Sequence, residues 1–181
     1  MSKKYKTPEE SHITISELML PSHSNFSGKI HGGYILSLMD QIAFACAAKY
    51  SGFYAVTASV DKVDFLQPIE VGELVTMKAC VNFVGRSSMV VGLRVESENI
   101  TSGTKKHCNS SYFTMVAKDE AGKTVPVPGL IIDDETSVRR FVRSAIRQKQ
   151  GKLRRARFSQ ETFKIEEHMD ILKEYNVKIE M

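Results

Sequence analysis

Asp40 sits near the middle of Tyr34–Ala48, a run in which only Ser37, Asp40 and Gln41 are polar. A carboxylate among apolar residues is costly unless it has a partner or a function. A desolvated one is a stronger base than one in water. Two helical turns earlier, His31-Gly32-Gly33 opens the same segment. Backbone N–H groups at a helix start point outward and carry partial positive charge. Glycines let a carbonyl oxygen approach them, so Gly32 and Gly33 are candidate oxyanion donors. A carboxylate base or nucleophile beside such donors suits hydrolysis at a carbonyl carbon. Asn25, ahead of the helix, is a turn or cap residue, or a polar partner in the site. His31 reads as a site-lining residue, because no Ser or Cys nucleophile pattern accompanies it. Gly85-Arg86-Ser87-Ser88 reads as a hairpin turn. It is either a plain turn or a phosphate clamp in which Arg86 is the charged fork and the serines add hydroxyls. No His, Cys, Asp or Glu cluster has metal-ligand spacing.

These residues need a scaffold. The spacing of Ser37, Asp40 and Gln41 by three and four places them on one stripe of a helix that is apolar elsewhere. Such a helix must be wrapped nearly all round, with Asp40 in a narrow polar seam. Strand patterning follows. Val56, Ala58 and Val60 alternate with Thr57, Ser59 and Asp61, and a parity change at Val63 and Phe65 suggests a bulge there. Val75, Met77, Ala79, Val81 and Phe83 alternate inward. Residues 88 to 96 run back from the Gly85-Arg86 turn, SENITSG turns again, and 104 to 118 make a last long strand. The reading is an α+β chain: a curled antiparallel meander around one long helix.

The chain has 181 residues, 42% hydrophobic and 25% charged, with net charge +4. Those values suit a globular protein of one domain, or one domain with an extension. VPVPGL, containing Pro126, Pro128 and Gly129, marks the boundary. Residues 1–130 are read as the catalytic domain and 131–181 as a basic helical extension. Between Thr136 and Gln160 there are nine Lys or Arg and no acid. Val138, Phe141, Val142, Ala145 and Ile146 would share one helix face behind a DDETS cap, and a further helix is read over 152–175. Cys46, Cys80 and Cys108 are widely spaced and read as buried free thiols. Together with the lack of a signal-like or membrane-length apolar run, they lead to an expectation of cytoplasmic location.

The pattern Asn25-x-x-Gly28-x-x-His31-Gly32-Gly33 with Asp40 in the following helix resembles the hotdog-fold acyl-CoA thioesterases. More narrowly it is similar to the hexameric YciA-like and cytosolic acyl-CoA hydrolase group. TASVDKVDFLQPIEVGE, VGRSSM and SYFTMVAKDEAGK extend the resemblance over about residues 14 to 128. It implies a hotdog fold and hydrolysis of fatty acyl-CoA to free acid and coenzyme A. It also implies a homohexamer, built as a trimer of dimers. Asp40 would be general base or nucleophile, with Gly32 and Gly33 N–H as oxyanion hole and Asn25 supplied by the partner subunit. His31, Arg86, Ser87 and Ser88 would bind coenzyme A. No cofactor, membrane or nucleic-acid partner is expected, coenzyme A being part of the substrate. Tyr34, Leu38, Phe65 and Phe83 are expected to set pocket depth. The competing reading, invited by the basic tail, is a non-catalytic acyl-CoA-binding or nucleic-acid-binding regulator on the same fold.

Overall fold

The computed structural model describes residues 5–157, 164, 167, 169–172, 174 and 175. The chain forms two compact units, Met1–Ser144 and Ala145–Met181. In the first, β1 (Tyr5–Lys6) and β2 (Ile13–Leu18) precede α1 (Gly32–Ser51). Then come β3 (Tyr54–Val60), β4 (Glu73–Val84), β5 (Ser88–Asn99), β6 (Lys105–Lys118) and β7 (Gly129–Leu130). Helix α2 (Glu135–Arg157) belongs to this unit as far as Ser144.

Five strands make one antiparallel sheet in the order β2-β4-β5-β6-β3, which leaves β2 and β3 as edges. The register shifts at Thr57/Ser59, Val81/Phe83 and Val95/Glu96. Each extra residue bends its strand and adds twist, so the sheet curls. Val75, Met77, Ala79, Val81, Met89, Val91, Phe113 and Met115 line the concave side. Ile35, Leu38, Met39, Ile42, Ala43, Cys46 and Tyr50 of α1 fill it, as hydrophobic burial on a one-faced sheet requires. This is the curled sheet with one long helix that the sequence implies.

Four details differ from the sequence reading. The bulge lies at Thr57/Ser59, upstream of the expected Val63. Beyond Val60 the chain follows β6 through backbone bonds that include Asp61 N–H to Tyr112 O and Leu66 N–H to Cys108 O. In β3, Ala55 and Thr57 face the helix, and Val56 does not, because the strand enters with the opposite parity. At the β4 bulge Asn82 and Phe83 leave the inward series, so Phe83 packs its ring 5.0 Å from Phe141 of α2. Phe83 therefore cannot set pocket depth beside Leu38. In α2, Ser137 and Ser144 are buried, whereas Val138 and Val142 stay about half exposed, 50% and 47%. The Phe83–Phe141 contact selects the buried face, one position round from the expected stripe.

A small clasp closes the first unit. β1 and β7 pair in parallel, Tyr5 opposite Gly129. The Tyr50 hydroxyl, at the end of α1, donates to Gly129 O at 2.8 Å, and burial pushes its phenol pKa up. In the second unit, α2 continues from Ala145 and α3 covers Met169–Leu172. Most of the helix expected over 152–175 lies outside the described residues. Among the described residues no helix is long and apolar enough to cross a membrane, and no group of His, Cys, Asp or Glu is placed to hold a metal.

Candidate active site

Helix α1 begins where His31 caps it. The His31 Nδ1 accepts from Gly33 N–H at 2.9 Å, and His31 O accepts from Tyr34 N–H. The Gly33 N–H is thus engaged by the helix's own cap. The Gly32 N–H has no partner among the described residues. The Phe65 ring covers this glycine so closely that an added Cβ would lie 3.2 Å from it. A carbonyl oxygen reaching Gly32 would thus be held beneath an aromatic lid. Tyr34, two residues on, stacks on His23 at 4.0 Å and donates to the Glu17 carboxylate, which raises its pKa.

Two turns along, Asp40 projects from the face of α1 that carries Ser37, Gln41 and Phe44. All four are exposed in the single chain, so Asp40 is not desolvated by its own subunit. The sequence pattern implied burial because it shows how much of the helix is apolar, and not which arc the chain leaves open. Asp40 is nonetheless fixed. The Thr57 hydroxyl donates to Asp40 Oδ1 at 2.5 Å, leaving Oδ2 for a reacting group. Sequence reasoning missed Thr57 because it assigned that residue to the polar parity of β3. The signal was present: a hydroxyl residue in the strand immediately after the helix, within reach once the parity is reversed.

Asn25 organises a tight loop. Its Oδ1 accepts from Ser27 N–H, Ser27 Oγ–H and Lys29 N–H, with Ser24 bridged to Ile30 across the loop. Gly28 supplies the left-handed φ of +77° that this turn demands. Asn25 makes no bond to Asp40 within the chain. The turn also presents Phe26 fully to solvent.

Arg86, Ser87 and Ser88 occupy the expected β4–β5 turn, closed by Gly85 N–H to Ser88 O at 2.7 Å. Arg86 is exposed and has no carboxylate partner among the described residues. Ser88 pairs with Val116, which pairs in turn with Val56, so the turn lies at the end of the sheet where β3 begins. Asp40 and Thr57 meet on the helix side of the sheet, Gly32 lies two turns away at the start of α1, and the Arg86 turn stands at the end of the sheet. As for the thiols, Cys46 and Cys108 are buried and Cys80 only partly so. Burial pushes the Cys46 thiol up to about 12, which rules out a ready nucleophile.

Residues 27–104 match the model of the Thioesterase superfamily. An uncharacterised acyl-CoA thioester hydrolase of Bacillus subtilis, YkhA, is 36% identical over 138 residues, 74% of this chain and 80% of that one. The crystal structure of an apo hexameric acyl-CoA thioesterase superposes with TM-score 0.81 at 35% identity, over 86% of this chain and 99% of the other. The acyl-CoA hydrolase of Staphylococcus aureus has been solved with butyryl coenzyme A, coenzyme A and coenzyme A disulfide. It gives TM-score 0.78 at 29% identity, over 93% and 99% of the two chains. That hydrolase has also been solved as three single alanine variants, one at an asparagine, one at an aspartate 15 residues later and one at a threonine 17 residues after that. Asn25, Asp40 and Thr57 stand at the same intervals.

Proposed function

The chain belongs to the thioesterase superfamily, and on that footing we propose that it is an acyl-CoA thioester hydrolase, releasing free acid and coenzyme A. The observation that carries the reading is the Thr57–Asp40 bond, 2.5 Å, on the helix whose start offers the Gly32 N–H. Thr57 fixes one carboxylate oxygen and Asp40 Oδ2 takes a proton from water. The hydroxide oxygen attacks the thioester carbon, and the carbonyl oxygen turns toward Gly32 N–H, under Phe65. The C–S bond then breaks, and the thiolate recovers the proton from Asp40. Arg86, Ser87 and Ser88 bind the phosphates of coenzyme A. His31 positions the Gly32 donor by capping α1.

In this reading the site is completed by a second copy. Edge strand β3 leaves a row of backbone groups unpaired, and Phe44 and Tyr54, with ring centroids 5.3 Å apart, lie exposed beside it. Pairing there about a twofold axis covers the open arc of α1, dries Asp40 and brings the partner's Asn25 loop to it. Three such dimers make the hexamer; the hexameric thioesterase of the same fold supports that number.

Two inactive variants test this: Asn25→Ala and Asp40→Ala. A mixed dimer contains one site with both groups and one with neither. Subunit exchange should restore thiol release, up to about half per mixed dimer when sites act independently. Mixed dimers that form but stay as inactive as the parents overturn the shared site. An Asp40→Ala protein with near-normal turnover overturns the chemistry.

A further inference from the structure

On the outer face of the sheet, away from α1, lies a cavity of about 340 Å³. Its walls include Lys78 and Cys80 of β4, Arg94 of β5, Tyr112 of β6 and Arg140 of α2, all in the first unit. Its floor is Gly92, opposite Cys80 on one side and Tyr112 on the other. A Cβ at Gly92 would lie 2.1 Å from Asn82 Nδ2, so the Asn82 amide reaches across the place where any side chain would sit. Asn82 is the extra residue of the β4 bulge, and the bulge is what aims it here. It is only 7% exposed and has no hydrogen-bond partner among the described residues, and its amide opens onto the cavity. Its donor and acceptor are free for a ligand or water there.

The charges select the ligand. Lys78 and Arg94 share one carboxylate, Glu96, at 2.9 and 2.8 Å. Arg140 has no carboxylate at ion-pair distance among the described residues, and feels Asp134 only at longer range. No acid lines the cavity; of its three cations Lys78 and Arg94 share Glu96, and Asp134 and Glu9 act only from further off, so the charged side chains in its wall are all positive. A phosphate monoester carries about −1.5 to −2 at neutral pH, a carboxylate only −1. The volume falls within the roughly 300–1,000 Å³ of small-molecule sites and greatly exceeds a bare phosphate ion.

We propose that this cavity binds a small organic phosphate, its phosphate between Arg140 and the Asn82 amide and its organic part over Gly92 against the Tyr112 ring. The site is separate from the thioesterase reading: Asp40, Thr57 and Gly32 lie on the opposite side of the sheet. Its occupant links α2 to the strands within the first unit.

The test titrates the full chain by calorimetry with adenosine 5′-monophosphate, ribose 5-phosphate, inorganic phosphate and hexanoate. At least one organic phosphate should bind saturably below ~1 mM and at least about tenfold more tightly than inorganic phosphate or hexanoate. Arg140→Gln and Asn82→Leu should each weaken it about tenfold or more, with acyl-CoA hydrolysis in its absence unchanged within about twofold. Asn82→Asp preserves the shape of the amide and should weaken binding by charge alone. Failure of both organic phosphates to bind, hexanoate binding equally well, or binding that survives the substitutions overturns the site. Loss of binding in Arg86→Ala instead would place the phosphate in the coenzyme A clamp, and the proposal falls.

Discussion

Replacing Thr57 by valine preserves the β-branched shape of the side chain and removes one hydroxyl. In the structure that hydroxyl donates to Asp40 Oδ1 at 2.5 Å, and no other donor among the described residues holds the carboxylate. A hydrogen bond to a charged group contributes about 1.5–3 kcal/mol. If the bond matters mainly for holding Asp40 in line with its water, most of that loss falls on the transition state. At ~1.4 kcal/mol per factor of ten, kcat should drop roughly 10- to 150-fold, with KM little changed because Thr57 does not touch the coenzyme A end. Thiol release followed with a chromogenic reagent gives both constants. Thr57→Ser, which retains the donor, should recover most of the rate. A folded, assembled Thr57→Val enzyme with wild-type kcat would refute the positioning role. So would Thr57→Ser falling as far as Thr57→Val, since packing would then be the cause.

Two further outcomes follow from the geometry. Arg86→Ala should raise KM for acyl-CoA roughly tenfold and leave kcat nearly unchanged, since an exposed fork on a rim turn binds and does no chemistry; a fall in kcat at constant KM contradicts this. Lys106→Ala should cost about 1–3 kcal/mol at pH 7, because it strands Glu73, whose side chain is 8% exposed and pairs with Lys106 at 2.8 Å. Burial pushes the Glu73 carboxyl up, but Lys106, the Glu70 N–H and Ser97 outweigh it and hold it below its ordinary 4.5. The stabilisation is therefore present above 4.5 and lost as pH falls through the depressed value. Urea midpoints of wild type and variant should converge in acid; a gap that widens there contradicts the pairing.

The hairpin turns, the long helix and the strand that ends near Lys118 were legible because each carries local signals: Gly-Arg-Ser-Ser, an apolar arc, alternation. Asp40 stood out for the same reason. Thr57 was hidden because one bulge reverses a strand's parity, and nothing in TASV states where the extra residue falls. The same cause misassigned Phe83 to the interior and concealed Asn82 altogether. Asp40's exposure was hidden for a different reason. The run Tyr34–Ala48 shows how much of the helix is apolar, and the chain itself covers only part of it, leaving the arc with Asp40 exposed. His31 looked like a lining residue, yet its ring nitrogen engages Gly33 N–H, since capping depends on a rotamer and not on a motif.

The two-residue clasp of β1 on β7 has a consequence for how such chains can be rearranged. Parallel neighbours sit about 4.8 Å apart, so Tyr5 and Gly129 bring the beginning and end of the sheet-and-helix body together at one seam. A body whose ends meet can be cut open elsewhere and rejoined there, or copied head to tail through a short linker, without threading a strand. The seam is also where the basic helix departs, so an appendage at this point lengthens the chain without interrupting the sheet. Gene duplication and tail replacement are thus the inexpensive variations on this design, and Tyr50, bonding Gly129 from within, is the residue that keeps the seam shut.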